Sequence, residues 1–392
     1  MLTILDNAEV YSPAHMGPRC LVLSGGKILA VLKARADLPL AGLSKAGIEL
    51  RCFDLRGKRL VPGFIDAHTH VTGGGGEDGA ATKVPAPLLT DFTKAGVTSV
   101  VGLLGTDDVT RSTAELLAGV RALRELGLSA WCWTGGYHLP PTTLTGTVRS
   151  DIVNISAIIG AGEIAVSDHR SSQPTLEELL RIASECHVAG LLTKKAGVMH
   201  LHLGDGSRGM DLIRQALDTT ELPARVFQPT HVNRRKGLFE EALDLAERGC
   251  HIDITSFPVG PEEDAYPAEV ALKRYFDAGL PPERVSISSD GGGCLPVFDD
   301  QGRMTSMDIG KSSSLPETLH AAVALGVPFE FALAAFTSNI ADHLRLEGKG
   351  HLRVGADADL VALNSQGEVT DVIAKGAWMI RDGDPLQLGP FE

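Results

Sequence analysis

The sequence predicts an α/β fold: a closed (β/α)8 barrel joined to a small β domain built from both ends of the chain. Three observations carry this expectation. Eight apolar, strand-like runs recur between residues 61 and 290, helical patterns lie between most of them, and short β segments precede and follow the alternating region. Strands alternating with helices argue for a parallel sheet, and eight repeats favour closure into a barrel over an open doubly wound sheet.

Residues 1–58 read as β segments, LTILDNAEVYS, RCLVLSGGKILAVLK and IELRCFDLRGKRL, with SGGK as a hairpin turn. The barrel strands are VPGFIDAH, VTSVVGLLG, SAWCWTGGY, EIAVSDH, VMHLHLG, ARVFQPTH, HIDITS and RVSISSD. Helical periodicity fills TAELLAGVRALRELG, TLEELLRIASECHVAG, GMDLIRQALDTT, LFEEALDLAERG and AEVALKRYFDAG, and returns in LPETLHAAVALG and PFEFALAAFTSNIADHLRL. The tail from residue 350 reverts to short strands. The expected division is 1–58 plus 346–392 for the small β domain and 59–345 for the barrel, with no internal repeat and no low-complexity linker.

The chain has 392 residues, 43% hydrophobic and 22% charged, ample for a large core. A net charge of −13 without a long basic run argues against nucleic acid and anionic membrane surfaces as partners. The start, MLTILDNAEVYSP, lacks a basic n-region and meets Asp6 before an apolar core develops, so no signal peptide is expected. No apolar stretch approaches the roughly 18 residues of a membrane span. Six cysteines (Cys20, Cys52, Cys132, Cys186, Cys250 and Cys294) without a CxxC pair fit reduced thiols, and a cytoplasmic location is expected.

The chemistry gathers at strand ends. His68 and His70 stand two apart at the end of the first barrel strand, so both rings point to the barrel interior at its C-terminal mouth. Alone, an HxH pair is equally a packing accident. However, His202 ends VMHLHLG, His231 ends ARVFQPTH and Asp290 ends RVSISSD, and barrel geometry brings all of these together. Four imidazoles and a carboxylate converging on one mouth make a site for a divalent ion such as zinc.

VPGFIDAHTH, the later single histidines, the SSD run and the tail VGADADLV resemble the amidohydrolase superfamily from end to end, which implies a TIM-like barrel of the amidohydrolase type. Within it, HTHVTGGGGEDG, VTSVVGLLGTD, TGGYHLP, VSDHRS, HLGD, PTHVNR and SSDGGG resemble the isoaspartyl dipeptidase family. The resemblance implies hydrolysis of β-aspartyl dipeptides at two Zn2+ ions, held by His68, His70, His202, His231, Asp290 and a bridging carboxylated lysine. It also implies a homo-oligomer, typically an octamer. Aligned through SDHR, the lysine position holds Glu163, and Lys194 and Lys195 precede the next strand and are not adopted. Glutamate offers the same pair of anionic oxygens but reaches about three bonds less far, so its backbone must move inward or the metals must shift. Ala161 and Gly162 leave room for that adjustment. Glu163 is therefore expected to bridge the metals without carbon dioxide; the alternative is a solvated or paired carboxylate and a single metal.

The same resemblance assigns roles. Metal-activated water would attack, Asp290 would act as general base and then acid, and Tyr137 of TGGYH would polarise the scissile carbonyl. Glu77, after the glycine run at 73–76, would pair with the substrate ammonium while bare backbone at Gly75 approaches the ligand. Arg170 and Arg234 would bind carboxylates bidentately, with Thr106 as a further contact. Cys294 stands where the family has serine and offers a weaker, bulkier donor. A different amide, cyclic or N-acyl, is the second reading, and a non-catalytic scaffold the third.

Overall fold

The computed structural model describes residues 1–299 and 301–392. Eight parallel strands form the barrel wall: β1 Phe64–Thr69, β2 Val97–Gly102, β3 Ser129–Thr134, β4 Ile158–Val166, β5 Val198–Leu203, β6 Phe227–Thr230, β7 Ile252–Thr255 and β8 Val285–Ser288. The first six are hydrogen-bonded in sequence order, and β7 pairs with β8. Between β6 and β7 the wall is joined through side chains, Thr230 Oγ1 donating to Asp253 at 2.7 Å and Asn233 Nδ2 to the Thr255 carbonyl at 2.9 Å. The ring closes just beyond β8, where Asp290 N donates to His68 O at 3.1 Å and His70 N to Gly291 O at 2.8 Å. Residues of β1, β2, β4 and β5 are buried throughout, because helices cover the outside and side chains fill the inside.

The helices follow their sequence signals. Thr113–Glu125 is N-capped by Ser112 and buries Leu116, Leu117, Val120 and Leu123 along one stripe. Leu176–Thr193 opens with a Thr175/Glu178 capping box. Among the described residues, no helix is long and apolar enough to cross a membrane.

The second layer is a nine-stranded sheet in which N-terminal strands meet C-terminal ones: Arg59–Pro62 pairs in parallel with Leu2–Tyr11 and antiparallel with Leu360–Leu363. Arg59–Pro62, on the barrel side of the expected boundary, is thus hydrogen-bonded into this sheet.

Several elements differ from expectation, the short helix Val148–Asn154 between β3 and β4 among them. β4 begins at Ile158, five residues before the EIAVSDH run, because Gly160 and Gly162 obscure a strand rather than end it. A Cβ on Gly160 would lie 2.7 Å from the Trp133 ring, so glycine is demanded by close packing. PFEFALAAFTSNIADHLRL is two helices, Phe329–Phe336 and Ser338–His343, broken at Thr337. A hairpin, Cys294–Phe298 with Met304–Ile309, rises beside the mouth.

Polar groups line the barrel floor. His251, leading into β7, stacks on His343 with ring centroids 4.1 Å apart. Burial pushes His251 down to about 3, and burial together with His251 holds His343 well below its usual range. Both rings therefore bind protons more readily in the unfolded chain. Their stability contribution is complete above the unfolded value of roughly 6.5 and is lost as pH falls from there, at about 1 kcal/mol per pH unit for one group. His251→Phe keeps a stacked ring without a proton site. It is expected to lose less melting temperature than wild type between about pH 7 and about pH 5; equal losses would assign the acid sensitivity elsewhere.

Candidate active site

The C-terminal mouth gathers all six expected ligand residues. Their donor atoms fall into three buried triads, each with ligand atoms within 4.8 Å of one another: His68–His70–Glu163, His68–His231–Asp290 and Glu163–His202–His231. Glu163 Oε1 lies 2.5 Å from His202 Nδ1 and 2.9 Å from His231 Nε2, while Oε2 is 3.6 Å from His68 Nε2. Asp290 Oδ1 is 3.1 Å from His70 Nε2 and 3.4 Å from His68 Nε2. The strand ends are tightly turned: His231 and Asp290 both adopt left-handed backbone, φ 58° and 54°, where non-glycine residues are uncommon.

These residues suit a bound cation. His68 Nε2, His70 Nδ1, Glu163 Oε2 and Asp290 Oδ1 are all buried without a hydrogen-bond partner. Burial opposes ionisation of both carboxylates, yet the surrounding histidines hold Glu163 and Asp290 well below the usual carboxylate range. Burial also opposes charge on His68, but Glu163 and Asp290 outweigh it and push the ring up to about 9. A buried pair of carboxylates thus demands positive charge, which a metal would supply. The other ring nitrogens are anchored: His68 Nδ1 shares a 2.8 Å hydrogen bond with His200 Nε2, and His231 Nδ1 one with Thr255 Oγ1 at 2.8 Å.

Glu163 reaches the cluster through a local irregularity. Between Met199 and Leu201 of β5, the register with β4 advances by three residues against two, so Gly162 and Glu163 form a bulge. Gly162 is not spare room, as the sequence implied: a Cβ there would sit 2.7 Å from His200 Cβ. Lys195 is held at the opposite end of β4, its ammonium donating to the Ile152 and Ile155 carbonyls ahead of the strand and to that of Ile158, its first residue.

Beside the cluster lies a pocket lined by Gly75, Glu77, Thr106, Tyr137, Arg170, Arg234 and Cys294. Thr106 Oγ1 donates to Glu77 Oε1 at 3.0 Å, and Arg170 Nη1 is 3.5 Å from the same oxygen. Glu77 Oε2 is buried without a partner. Tyr137 OH is 2.8 Å from His202 Nδ1. Burial and the Glu163 charge push its hydroxyl well above the usual range. Burial, Glu77 and Asp290 push the Cys294 thiol up to about 11, which disfavours a thiolate nucleophile.

The glycine run has a structural use that the sequence reading missed. Gly75 has φ +76°, and a Cβ there would lie 2.5 Å from the Thr82 carbonyl. The loop is therefore pressed against residues 82–84 and held from below by Arg111, which donates to the carbonyls of Thr72, Gly74 and Val84.

The model of the amidohydrolase family matches residues 59–379. The chain belongs to the amidohydrolase family. Over its full length it resembles β-aspartyl dipeptidase from Fervidobacterium islandicum AW-1, solved in complex with β-Asp-Leu: 38% identity, 100% of both chains covered, TM-score 0.91. A second structure of that dipeptidase gives 37% identity, the same coverage and TM-score 0.89. N-acetylglucosamine-6-phosphate deacetylase from Pasteurella multocida shares the fold at 16% identity, covering 97% of this chain and 100% of its own, with TM-score 0.63. Adenine deaminase 2 from Carboxydothermus hydrogenoformans is 23% identical over 86% of this chain, which spans 52% of that relative's length.

Several residues that shape this amidohydrolase's mouth carried no separate signal in the sequence reading. His200 is the first histidine of HLH and, by strand periodicity, faces inward with His202; it stacks on Trp133 at 5.1 Å. Gly105 and Gly293 flank His70, where a Cβ on either would come within 2.8 Å of the ring. Asp168, used in the sequence only as an alignment point in SDHR, is buried against His202 and Arg170.

Proposed function

We propose that this amidohydrolase cleaves the β-aspartyl peptide bond of dipeptides, holding two Zn2+ ions bridged by Glu163. The observation that carries the reading is the charge set around one pocket. An unpartnered buried carboxylate oxygen on Glu77 and two guanidinium groups flank the metal-competent cluster. A β-aspartyl dipeptide presents one ammonium and two carboxylates, the complementary set. The full-length likeness to a dipeptidase solved with β-Asp-Leu supports the same substrate.

His68, His70, His202, His231 and Asp290 would complete the ligand set. Bound metal would polarise the scissile carbonyl and make water acidic near neutral pH. Glu77 takes the α-ammonium, and the Nη1 side of Arg170, which faces the pocket, takes the carboxylates with Arg234. Tyr137 keeps its proton and donates it in a hydrogen bond to the developing oxyanion. Asp290, ionised in the free site, accepts a proton from the attacking water and returns it to the leaving amine. The six cysteines are unpaired, which supports a reducing, cytoplasmic setting, and the same reading carries a homo-oligomer as large as an octamer.

The test is leucine release from β-Asp-Leu and α-Asp-Leu by zinc-replete protein. Cleavage is expected for the β-linked peptide alone. Failure to cleave either would move the substrate to another amide.

A further inference from the structure

Asp168 sits between the metal cluster and the substrate arginines. Its carboxylate has four lone-pair positions, and each is filled. Oδ1 accepts from Arg170 N at 2.7 Å and Arg170 Nε at 3.0 Å. Oδ2 accepts from Arg170 Nη2 at 2.8 Å and from His202 Nε2 at 2.8 Å. Arg234 Nη1 adds its charge from 3.9 Å. The residue cannot drift: its carbonyl accepts from Ser171 N and Gln173 Nε2, and Gly204 lacks the Cβ that would fall inside the Asp168 side chain. Arg170 is steadied from both faces, its guanidinium carbon 5.4 Å from the Tyr137 ring and 5.4 Å from Phe298.

We infer that Asp168 is a positioning residue that orients His202 toward metal and Arg170 toward the substrate's carboxylate with one side chain, so that metal and substrate bind cooperatively. The inference rests on the dipeptidase reading for the identity of the substrate, and on geometry alone for the metal. Because a carboxylate only accepts, the Asp168 contact takes N–H from His202 Nε2; with a cation bound, Nδ1, which faces Glu163 Oε1 at 2.5 Å and Tyr137 OH at 2.8 Å, would turn its lone pair to the cluster. The same carboxylate occupies the Nε–Nη2 edge of Arg170 and leaves Nη1 for the pocket, 3.5 Å from Glu77.

Asp168→Asn is isosteric but replaces one acceptor by a donor. Its amide then faces either Arg170, donor against donor, or His202, which must take the tautomer that places N–H on Nδ1. Two measurements test this. Zinc affinity of metal-stripped protein, read by competition with a chromophoric chelator, is expected to fall about 10–100-fold. At saturating zinc, KM for β-Asp-Leu is expected to rise about tenfold or more, since a buried charged partner of Arg170 is lost. Thr255→Val, which removes only the partner of His231 Nδ1, should weaken zinc and leave KM in place. Should Asp168→Asn fail to fold, judged by melting of the metal-free protein, Arg170→Lys replaces it. That variant replaces no metal ligand, although Arg170 Nη2 lies 3.4 Å from His202 Nε2, and it is expected to weaken zinc, because coupling is reciprocal.

Zinc affinity within twofold of wild type in the tested variant, or weakened zinc with an unchanged KM in Asp168→Asn, overturns the inference. The chelator measurement uses no substrate. A wild-type protein inactive on β-Asp-Leu would therefore sink the dipeptidase reading while zinc affinity still decides the role of Asp168.

Discussion

Glu163→Gln is expected to lower kcat for β-Asp-Leu on the order of a thousandfold and to reduce bound zinc from two ions per chain toward one. The substitution keeps the shape of the side chain but removes its charge and turns one oxygen into a donor. In the folded protein those oxygens face His202, His231 and His68, and Oε2 has no hydrogen-bond partner to release. A metal acting on a carbonyl is worth several kcal/mol of transition-state stabilisation, and 1.4 kcal/mol is about tenfold, which sets the scale. A companion measurement separates glutamate from a carboxylated lysine. Metal-stripped wild-type protein should reload zinc to the same stoichiometry in carbon-dioxide-free buffer as with added bicarbonate. Loading that depends strongly on bicarbonate, or a Gln variant within tenfold of wild type, would remove Glu163 from the bridging role.

Asp290→Asn is expected to lower kcat by about 10²–10⁴-fold, the range for a positioned general acid–base, with KM changed only a few-fold. The residue follows β8 in left-handed backbone and lies 3.1 Å from His70 Nε2, so its carboxylate stands at the edge of the cluster, where it also lines the arginine pocket. The asparagine keeps one oxygen able to ligate a metal, so zinc content is expected to persist while proton transfer fails. Steady-state kinetics at saturating zinc, with metal content measured in parallel, checks both. A variant that keeps zinc and nearly full kcat would assign the proton transfer to another group.

The order of the barrel was legible in the chain because each strand is a short apolar run between helical periods. The alternation of side chains along β1 likewise places His68, near its end, on one face with His70, one residue past it, their ring centroids 5.7 Å apart. His202, His231 and Asp290 were legible for the same reason: a barrel sends every strand end to one mouth. The motifs then pointed to the dipeptidase-like pocket, and Glu77, Thr106, Tyr137, Arg170, Arg234 and Cys294 do line a single cavity beside the ligands.

Other features depend on neighbours distant in sequence, and no local pattern encodes them. The inward step of Glu163 comes from a bulge against β5, which exists only once β4 and β5 are paired. The glycines around His70 are explained by a ring that arrives from another strand, and the glycine run by Arg111 and residues 82–84 packed against it. Lys195, passed over in the sequence because it precedes the fifth strand, is set by the fold among carbonyls away from the mouth. Periodicity and motif, which are local, determined the barrel and named the residues that gather in the metal-competent cluster. The bulge, the filled lone pairs of Asp168 and the fit of glycine against imidazole were decided only by tertiary structure, because they arise from contacts between strands that the chain brings together on folding.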